Sequence, residues 1–228
     1  LPWHQKATNN IFKKVSKYDY YRLILSGFRF EMSGVEAQTV ASFNNLRGLI
    51  LQDMDIHYLG DNEHPTGNGF LFQGVHSLNC DNVDFHRVMY CLWQVAGNSD
   101  HTYVGCDGTR TRHTFVLSDS TNTIIRDSHG YGCVSHLDTH RGVNHVLIQG
   151  CRSDNDRGAY RNVAAVSTIR DSVFTGFRDA GVSISGAGDR VQSETYIIAI
   201  DGDELDNLAI DDVLVFGENI PAAVVSIM

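Results

Sequence analysis

The chain is 228 residues long, 42% hydrophobic and 20% charged, with a formal net charge of −9 at pH 7. That acidic balance argues against nucleic acid and anionic membrane as partners, since both are bound through basic surface. No run of about 18 apolar residues is present to span a bilayer, and 3 prolines beside 21 glycines fit many short turns rather than a proline-rich linker.

In chain order, residues 1–20 ("LPWHQKATNNIFKKVSKYDY") read as an N-terminal cap or lead-in. They lack the charged and apolar regions of a signal peptide, so an export signal, if used, is expected to have been removed. From residue 21 to 228 one phrase recurs: an apolar strand, a small or polar residue, then another apolar residue. It stands as "LILSGFRF", "LILQDMDI", "LNCDNVDF", "TIIRDSHG", "VLIQGCRS", "STIRDSVF" and "LAIDDVLV". The third residue of each copy is an anchor: Leu25, Leu51, Cys80, Ile125, Ile148, Ile169 and Ile210. A weaker copy, "TYVGCDGT", supplies Val104.

Two positions past the anchors stand Gly27, Asp53, Asn82, Cys106, Asp127, Gly150, Asp171 and Asp212, all small or turn-forming. Five past stand Phe30, Ile56, Phe85, Phe174 and Val215, with Thr109, Gly130 and Ser153 as exceptions. Anchors recur at about 21–29 residues, with a last gap of about 41 taken as two coils, which is a solenoid period. Units this short, rich in Val, Ile and Thr, exclude paired helices, and the leucine-rich frame is missing. The expected fold is all-β: a single-stranded right-handed parallel β-helix of about nine coils, its hand taken from the general bias of parallel crossovers. The apolar ending "VVSIM" has no obvious terminator, so the chain is expected to be a segment of something longer, with no second domain.

Five cysteines (Cys80, Cys91, Cys106, Cys133, Cys151) form no CxxC pair, and their odd number fits core thiols rather than a disulfide framework. Loops are expected to break the period at residues 58–69 and 90–101, where function would concentrate. Trp93, in the second, offers a flat face for a sugar ring, or else a core aromatic.

"SHLDTHRG", residues 135–142, places His136, Asp138 and His140 at every second position, followed by Arg141. On a strand, alternate side chains leave one face, and titratable groups at that spacing point to an outer surface. Counted from their anchors, Asp138 and Arg161 share one offset on successive coils, so they are expected to be stacked neighbours about 4.8 Å apart. Arg157 lies over the start of the same strand, Arg178 and Asp179 on the coil beyond, and Asp154 and Asp156 in the turn before. Arg141, Arg157, Arg161 and Arg178, with Trp93, are the candidate substrate-binding residues. So many basic donors on an acidic chain suit an anionic sugar chain, whose carboxylates pair well with arginine. The His row could alternatively hold a metal, although same-face strand positions lie about 6.5–7 Å apart. Further on, "DGDELDN" (Asp201, Asp203, Glu204, Asp206) has the oxygen density of a calcium loop without the glycine and distal glutamate of an EF-hand. Calcium is the one candidate ion, and no cofactor is otherwise required.

"YGCVSHLDTHRG" resembles a motif of the mannuronan C5-epimerases, where a Tyr-Gly pair precedes Asp-Pro-His and an acidic or polar residue. Here Tyr131-Gly132 precedes Asp138-Thr139-His140 and Arg141, with Thr in place of Pro and Arg in place of the acid. The coil pattern of residues 20–217 is similar to the pectate-lyase-like β-helices and to bacteriophage tailspikes. This resemblance implies His140 as base and Asp138 as its orienting partner, with Tyr131 or Tyr160 completing the site. It also implies an extracellular or virion setting and a homotrimer.

The expected function is degradation of an extracellular or capsular, acidic polysaccharide, by a lyase or a glycoside hydrolase. The alternatives are a uronan C5-epimerase and a non-catalytic glycan-binding fibre. A lyase or epimerase would use His140 as base on the proton beside a uronate carboxylate, and in a lyase a Tyr or the second histidine, His136, would protonate the leaving oxygen. A hydrolase would pair Asp138 with Asp154, Asp156 or Asp179.

Overall fold

The computed structural model describes residues 22–33, 38–60, 66–140, 142–154, 156 and 168–172 in full, and places backbone strands at 12–13, 158–162, 166–167, 173–175, 180–185, 196–201, 207–211, 214–216 and 225–227. Among these residues there is no helix, and the strands pair in parallel into a β-solenoid. About five turns are established; the expected count of nine is not confirmed.

Each turn has three faces. The first runs through Leu23–Ser26, residues 49–52, 78–81 and 101–104, then Ser120–Arg126 and Asn144–Gln149. The second runs through Arg29–Met32, residues 55–58, 83–86 and 106–109, then His129–Tyr131 and Arg152–Asp154. The third runs through residues 41–44 and 70–73, then Tyr90–Ala96, His113–Leu117, Ser135–Thr139 and Gly158–Asn162. Of the proposed cap, only Phe12–Lys13 is described, as a strand pairing with Ala41 and Ser42.

The recurring phrase maps onto the first face, the bend after it and the second face. Leu25, Leu51, Cys80, Tyr103, Ile125, Ile148, Ile169 and Ile210 are successive register partners. The anchor of the weak copy is therefore Tyr103, not Val104. Tyr103 is fully buried, and its larger side chain disguised it as the residue before the anchor. With that correction the bend position is Gly105 and the partner on the second face is Gly108. Ile169 and Ile210 are also direct partners, so the gap of about 41 residues spans one step of this face rather than two.

The bend explains the turn-forming column. Gly27, Asp53, Asn82, Gly105, Asp127, Gly150 and Asp171 all have positive φ, between 49° and 73°. For an ordinary L-residue that conformation costs roughly 1–2 kcal/mol; Gly avoids it, and Asn and Asp offset it with local hydrogen bonds. Here the Asn82 side chain donates to Asp53 Oδ1 at 2.9 Å, so the bends brace one another from turn to turn.

On the second face Phe30, Ile56, Phe85, Gly108, Gly130 and Ser153 form one inward column, and the backbone of Phe174 continues its register. Its small members are compensated from across the core. A Cβ at Gly130 would lie 2.7 Å from His136 Cγ, and one at Gly108 would run into Thr114 Oγ1. The reverse exchange occurs lower down, where large Phe85 faces Gly69. Phe70, Leu92, Phe115 and Leu137 complete the core from the third face, each stabilising the fold by about 1.5–3 kcal/mol. All five cysteines are free and buried, as core thiols.

Residues 90–101 are not a loop. Tyr90–Ala96 is a third-face strand and Asn98–Thr109 leads into the first face. The segment is held from inside by a hydrogen-bond chain: Gln94 Nε2 donates to the Tyr103 hydroxyl (2.9 Å), which meets His101 Nδ1 (3.1 Å), while His101 Nε2 meets the Val75 carbonyl (2.9 Å). These polar groups inside the core hid the strand in the apolar pattern. Of the loop expected at 58–69, residues 61–65 lie outside the described residues.

Candidate functional site

The third face carries a cluster of aromatic and titratable side chains on its outer wall. In Ser135–Thr139, Leu137 and Thr139 are packed inside, so Asp138 between them points out. Its register partners are Val116 below and Arg161 above, and Val116 in turn partners Trp93. The predicted stacking of Asp138 beside Arg161 is thus present in the backbone, and Trp93 stands two rungs below Asp138 in the same column.

Although it points out, Asp138 is only 4% exposed. A carboxylate withdrawn that far from water needs partners, and two imidazoles approach it. Oδ2 lies 3.5 Å from His140 Nε2 and 3.8 Å from His113 Nε2. His140 closes the strand and keeps half its side chain in solvent. Below, the His113 ring stacks on Tyr90 at 5.6 Å and 9°, Tyr90 lies 5.0 Å from Trp93, and the Arg112 guanidinium sits 5.6 Å over the Tyr90 ring. The result is a continuous wall: an aromatic ledge, a cation and a carboxylate-held imidazole.

His136 does not belong to it. The expectation that His136, Asp138 and His140 share one outer face is corrected here. His136 is buried beside Phe115, ring centroids 5.2 Å apart, and fills the core space left by Gly130. Residues 136 and 137 both turn inward because the chain rounds the corner from the second face to the third, where strict alternation lapses. Neither ring nitrogen has a hydrogen-bond partner among the described residues. Burial, reinforced by His129, pulls its pKa down to about 3, so it is neutral filler rather than a base facing substrate.

Asp156 is also inside, with no exposed surface. Its Oδ1 accepts from the Cys133 backbone N–H at 2.6 Å and its Oδ2 from the Ser153 hydroxyl, and burial pushes its pKa up to about 6. It ties the corner and does not face the wall. Tyr131 is exposed, but on the second face, in register with Thr109 and Asp154. Asp154 on that face is bound by His129 Nε2 (2.9 Å) and Arg152 Nε (2.5 Å). Tyr160 is placed by its backbone in register with Leu137. Arg141, Arg157, Arg178 and Asp179 lie outside the described residues, as do Asp203, Glu204 and Asp206 of the calcium candidate; Asp201 ends the strand Tyr196–Asp201.

A second gathering of donor atoms occupies the outer side of the second face. Asp55 and His57 stand two apart on one strand, and Asp84 and His86 are their register partners on the next. Asp55 Oδ1 lies 2.5 Å from His57 Nε2 and 3.9 Å from His86 Nε2, and the two rings are 4.2 Å apart. Among the described residues this is the one group of three whose ligand atoms all fall within 4.8 Å of each other.

Sequence reasoning missed Tyr90 because residues 90–101 were assigned to a loop, and with it His113 and Arg112, which pack on the Tyr90 ring. It missed Asp55, His57 and His86 although the signal was present: Asp-x-His occurs at the same offset from the anchors Leu51 and Cys80. Comparison with family models finds none that matches the chain, and no curated protein matches it.

Proposed function

We propose that the chain is a polysaccharide lyase acting on an acidic, uronate-containing glycan at the outer wall of the third face. The observation that carries this reading is His140, half in solvent and 3.5 Å from the withdrawn carboxylate of Asp138. With Nε2 turned to Asp138, Nδ1 is the nitrogen left to take a proton, and the carboxylate stabilises the imidazolium that forms. A lyase is favoured over a hydrolase because a hydrolase needs a second carboxylate about 5–9.5 Å away across the scissile bond. Of the three carboxylates first considered as partners of Asp138, Asp156 is locked in the core, Asp154 is engaged on another face, and Asp179 lies outside the described residues.

In the elimination, His140 removes the proton beside the uronate carboxylate. The C–H electron pair becomes the new C=C bond as the bond to the glycosidic oxygen breaks, and that oxygen takes up a proton. Tyr90, stacked on His113, is the wall's hydroxyl for that role. Negative charge developing on the uronate is met by arginine: Arg112 over the ledge, and Arg161 in register with Asp138. Trp93 and Tyr90 give the sugar rings flat apolar surface. Epimerisation shares the first step and differs in returning the proton to the opposite face. The pectate-lyase-like and tailspike resemblance, with its extracellular or virion setting and trimeric assembly, belongs to this same reading.

The test is a panel of charged and neutral bacterial glycans incubated with the chain while ultraviolet absorbance is followed. Cleavage of a uronate polymer with rising absorbance, from the new double bond, is the expected result. Cleavage without absorbance would identify a hydrolase, and binding without cleavage a glycan-binding fibre; either would overturn the lyase.

A further inference from the structure

We propose that Asp55, His57 and His86 bind one divalent transition ion of the zinc class on the outer side of the second face. Two features of the winding make the site. Alternation along a strand puts Asp55 and His57 on one side, and the parallel register puts His86 directly over His57. Three donors from two turns therefore converge, with Asp55 Oδ1 between the two imidazole nitrogens.

The distances fit a small ion. Bonds of about 2.0–2.2 Å to nitrogen and oxygen in a tetrahedral site place donors about 3.3–3.5 Å apart. The 2.5 Å contact of Asp55 with His57 must open and the 3.9 Å contact with His86 must close, each by less than about 1 Å. All three side chains are partly in solvent, at 35%, 22% and 41%, so they can make these movements. In the ion-free state Asp55 Oδ1 and His57 Nε2 are in direct hydrogen-bond contact, and the ion takes the place of that contact.

Surroundings favour a cation. Asp84 lies in register with Asp55, and Asp107 with Asp84. Carboxylates stacked on successive rungs in this way crowd negative charge that a bound cation relieves. Arg29 Nη1 lies 3.8 Å from Asp55 Oδ2, which leaves Oδ1 turned to the histidines. Two imidazoles and one carboxylate select zinc, nickel or copper over calcium and magnesium, which prefer all-oxygen sets. Solvent fills the remaining position. The site shares no residue with the third-face wall and stands or falls independently of the lyase.

The experiment is calorimetric titration of the whole chain with Zn2+ at pH 7.5, repeated with Ca2+ and Mg2+. One equivalent of Zn2+ with micromolar or tighter affinity is expected, unaffected by a large excess of either alkaline-earth ion. His86→Asn and Asp55→Asn should each weaken that equivalent at least tenfold, and His140→Asn should leave it unchanged. In the unsubstituted chain, Zn2+ should move the ring resonances of two histidines, a readout that survives if a variant misfolds. No stoichiometric binding, an equivalent that persists in the His57→Asn/His86→Asn double variant, or no histidine resonance moving would overturn the site.

Discussion

The outer walls of the second and third faces are built on the same rungs, yet they gather their titratable groups differently. On the third face a single carboxylate, Asp138, is withdrawn from water among aromatic rings and holds one open imidazole. On the second, carboxylates and imidazoles repeat at the same offset turn after turn, Asp55 with His57 and then Asp84 with His86, and stay partly wet. The first arrangement isolates one proton-transfer group beside a surface a sugar can lie on. The second concentrates equivalent donors, which suits an ion. In a solenoid, register alone decides which groups meet; what surrounds them decides what they can do.

Three substitutions separate the walls, and the largest effect should come from beneath the third face. Phe115 is fully buried, 5.3 Å from Tyr103 and 5.2 Å from His136 between ring centroids. Phe115→Ala should lower the unfolding free energy by about 3–5 kcal/mol. It should also impair the third-face wall while the remaining folded chain keeps its Zn2+ equivalent. Urea unfolding and metal titration of the same sample check both, and equal loss at the two walls would mean they are not separable.

Acid should act next most strongly, through the core behind the third face. His136 and His101 are held neutral by burial, with pKa values pulled down to about 3 and about 4. The unfolded chain takes protons as pH falls below about 6.5, while these folded histidines do not. Their contribution is present above about 6.5 and drains away as pH falls through the folded values. Asp156 works in the opposite direction: with its pKa near 6 it keeps a proton that the unfolded chain gives up, so it gains stability as pH falls from about 6 toward 4. Two histidines outweigh one carboxyl. His136→Leu removes a titrating ring that makes no hydrogen bond among the described residues. It should recover about 2 kcal/mol of the stability otherwise lost between pH 7.5 and pH 5. Urea midpoints at the two pH values test this, and an unchanged decline in the variant would contradict it.

The smallest effect should be at the rim. Trp93→Ala removes one face of the aromatic ledge and should weaken glycan binding by about 0.5–1.5 kcal/mol, roughly two- to twelvefold. Fold and Zn2+ binding should stay as they were. Binding isotherms on the cleaved glycan decide it, and unchanged affinity would take the sugar off the ledge.

Much of this was legible in the sequence because a solenoid converts spacing into contact. Equal offsets from Ile125 and Ile148 put Asp138 beside Arg161, and the strand register does so too. The turn residues Asp53, Asn82, Asp127 and Asp171 were visible because left-handed backbone admits few residue types. What stayed hidden did so for local reasons. Tyr103 displaced the expected anchor, since an interior column tolerates exchange of size between faces. Gln94 and His101 disguised a buried strand as a loop, because Gln94 Nε2 and both ring nitrogens of His101 find partners inside the core. His136 defeated period-two reasoning at a corner, where two successive residues turn inward. Its burial depends on Gly130 across the core, a pairing no single segment reveals.

The central claim, that His140 held by Asp138 is the base of a glycan lyase, is tested most directly by one paired measurement. Turnover of the uronate polymer and its binding are determined together for the parent chain and for His140→Ala. The expected result is a fall in turnover of about 10²–10⁴-fold with affinity essentially kept. Turnover that survives the substitution, or affinity that disappears with it, would contradict the assignment.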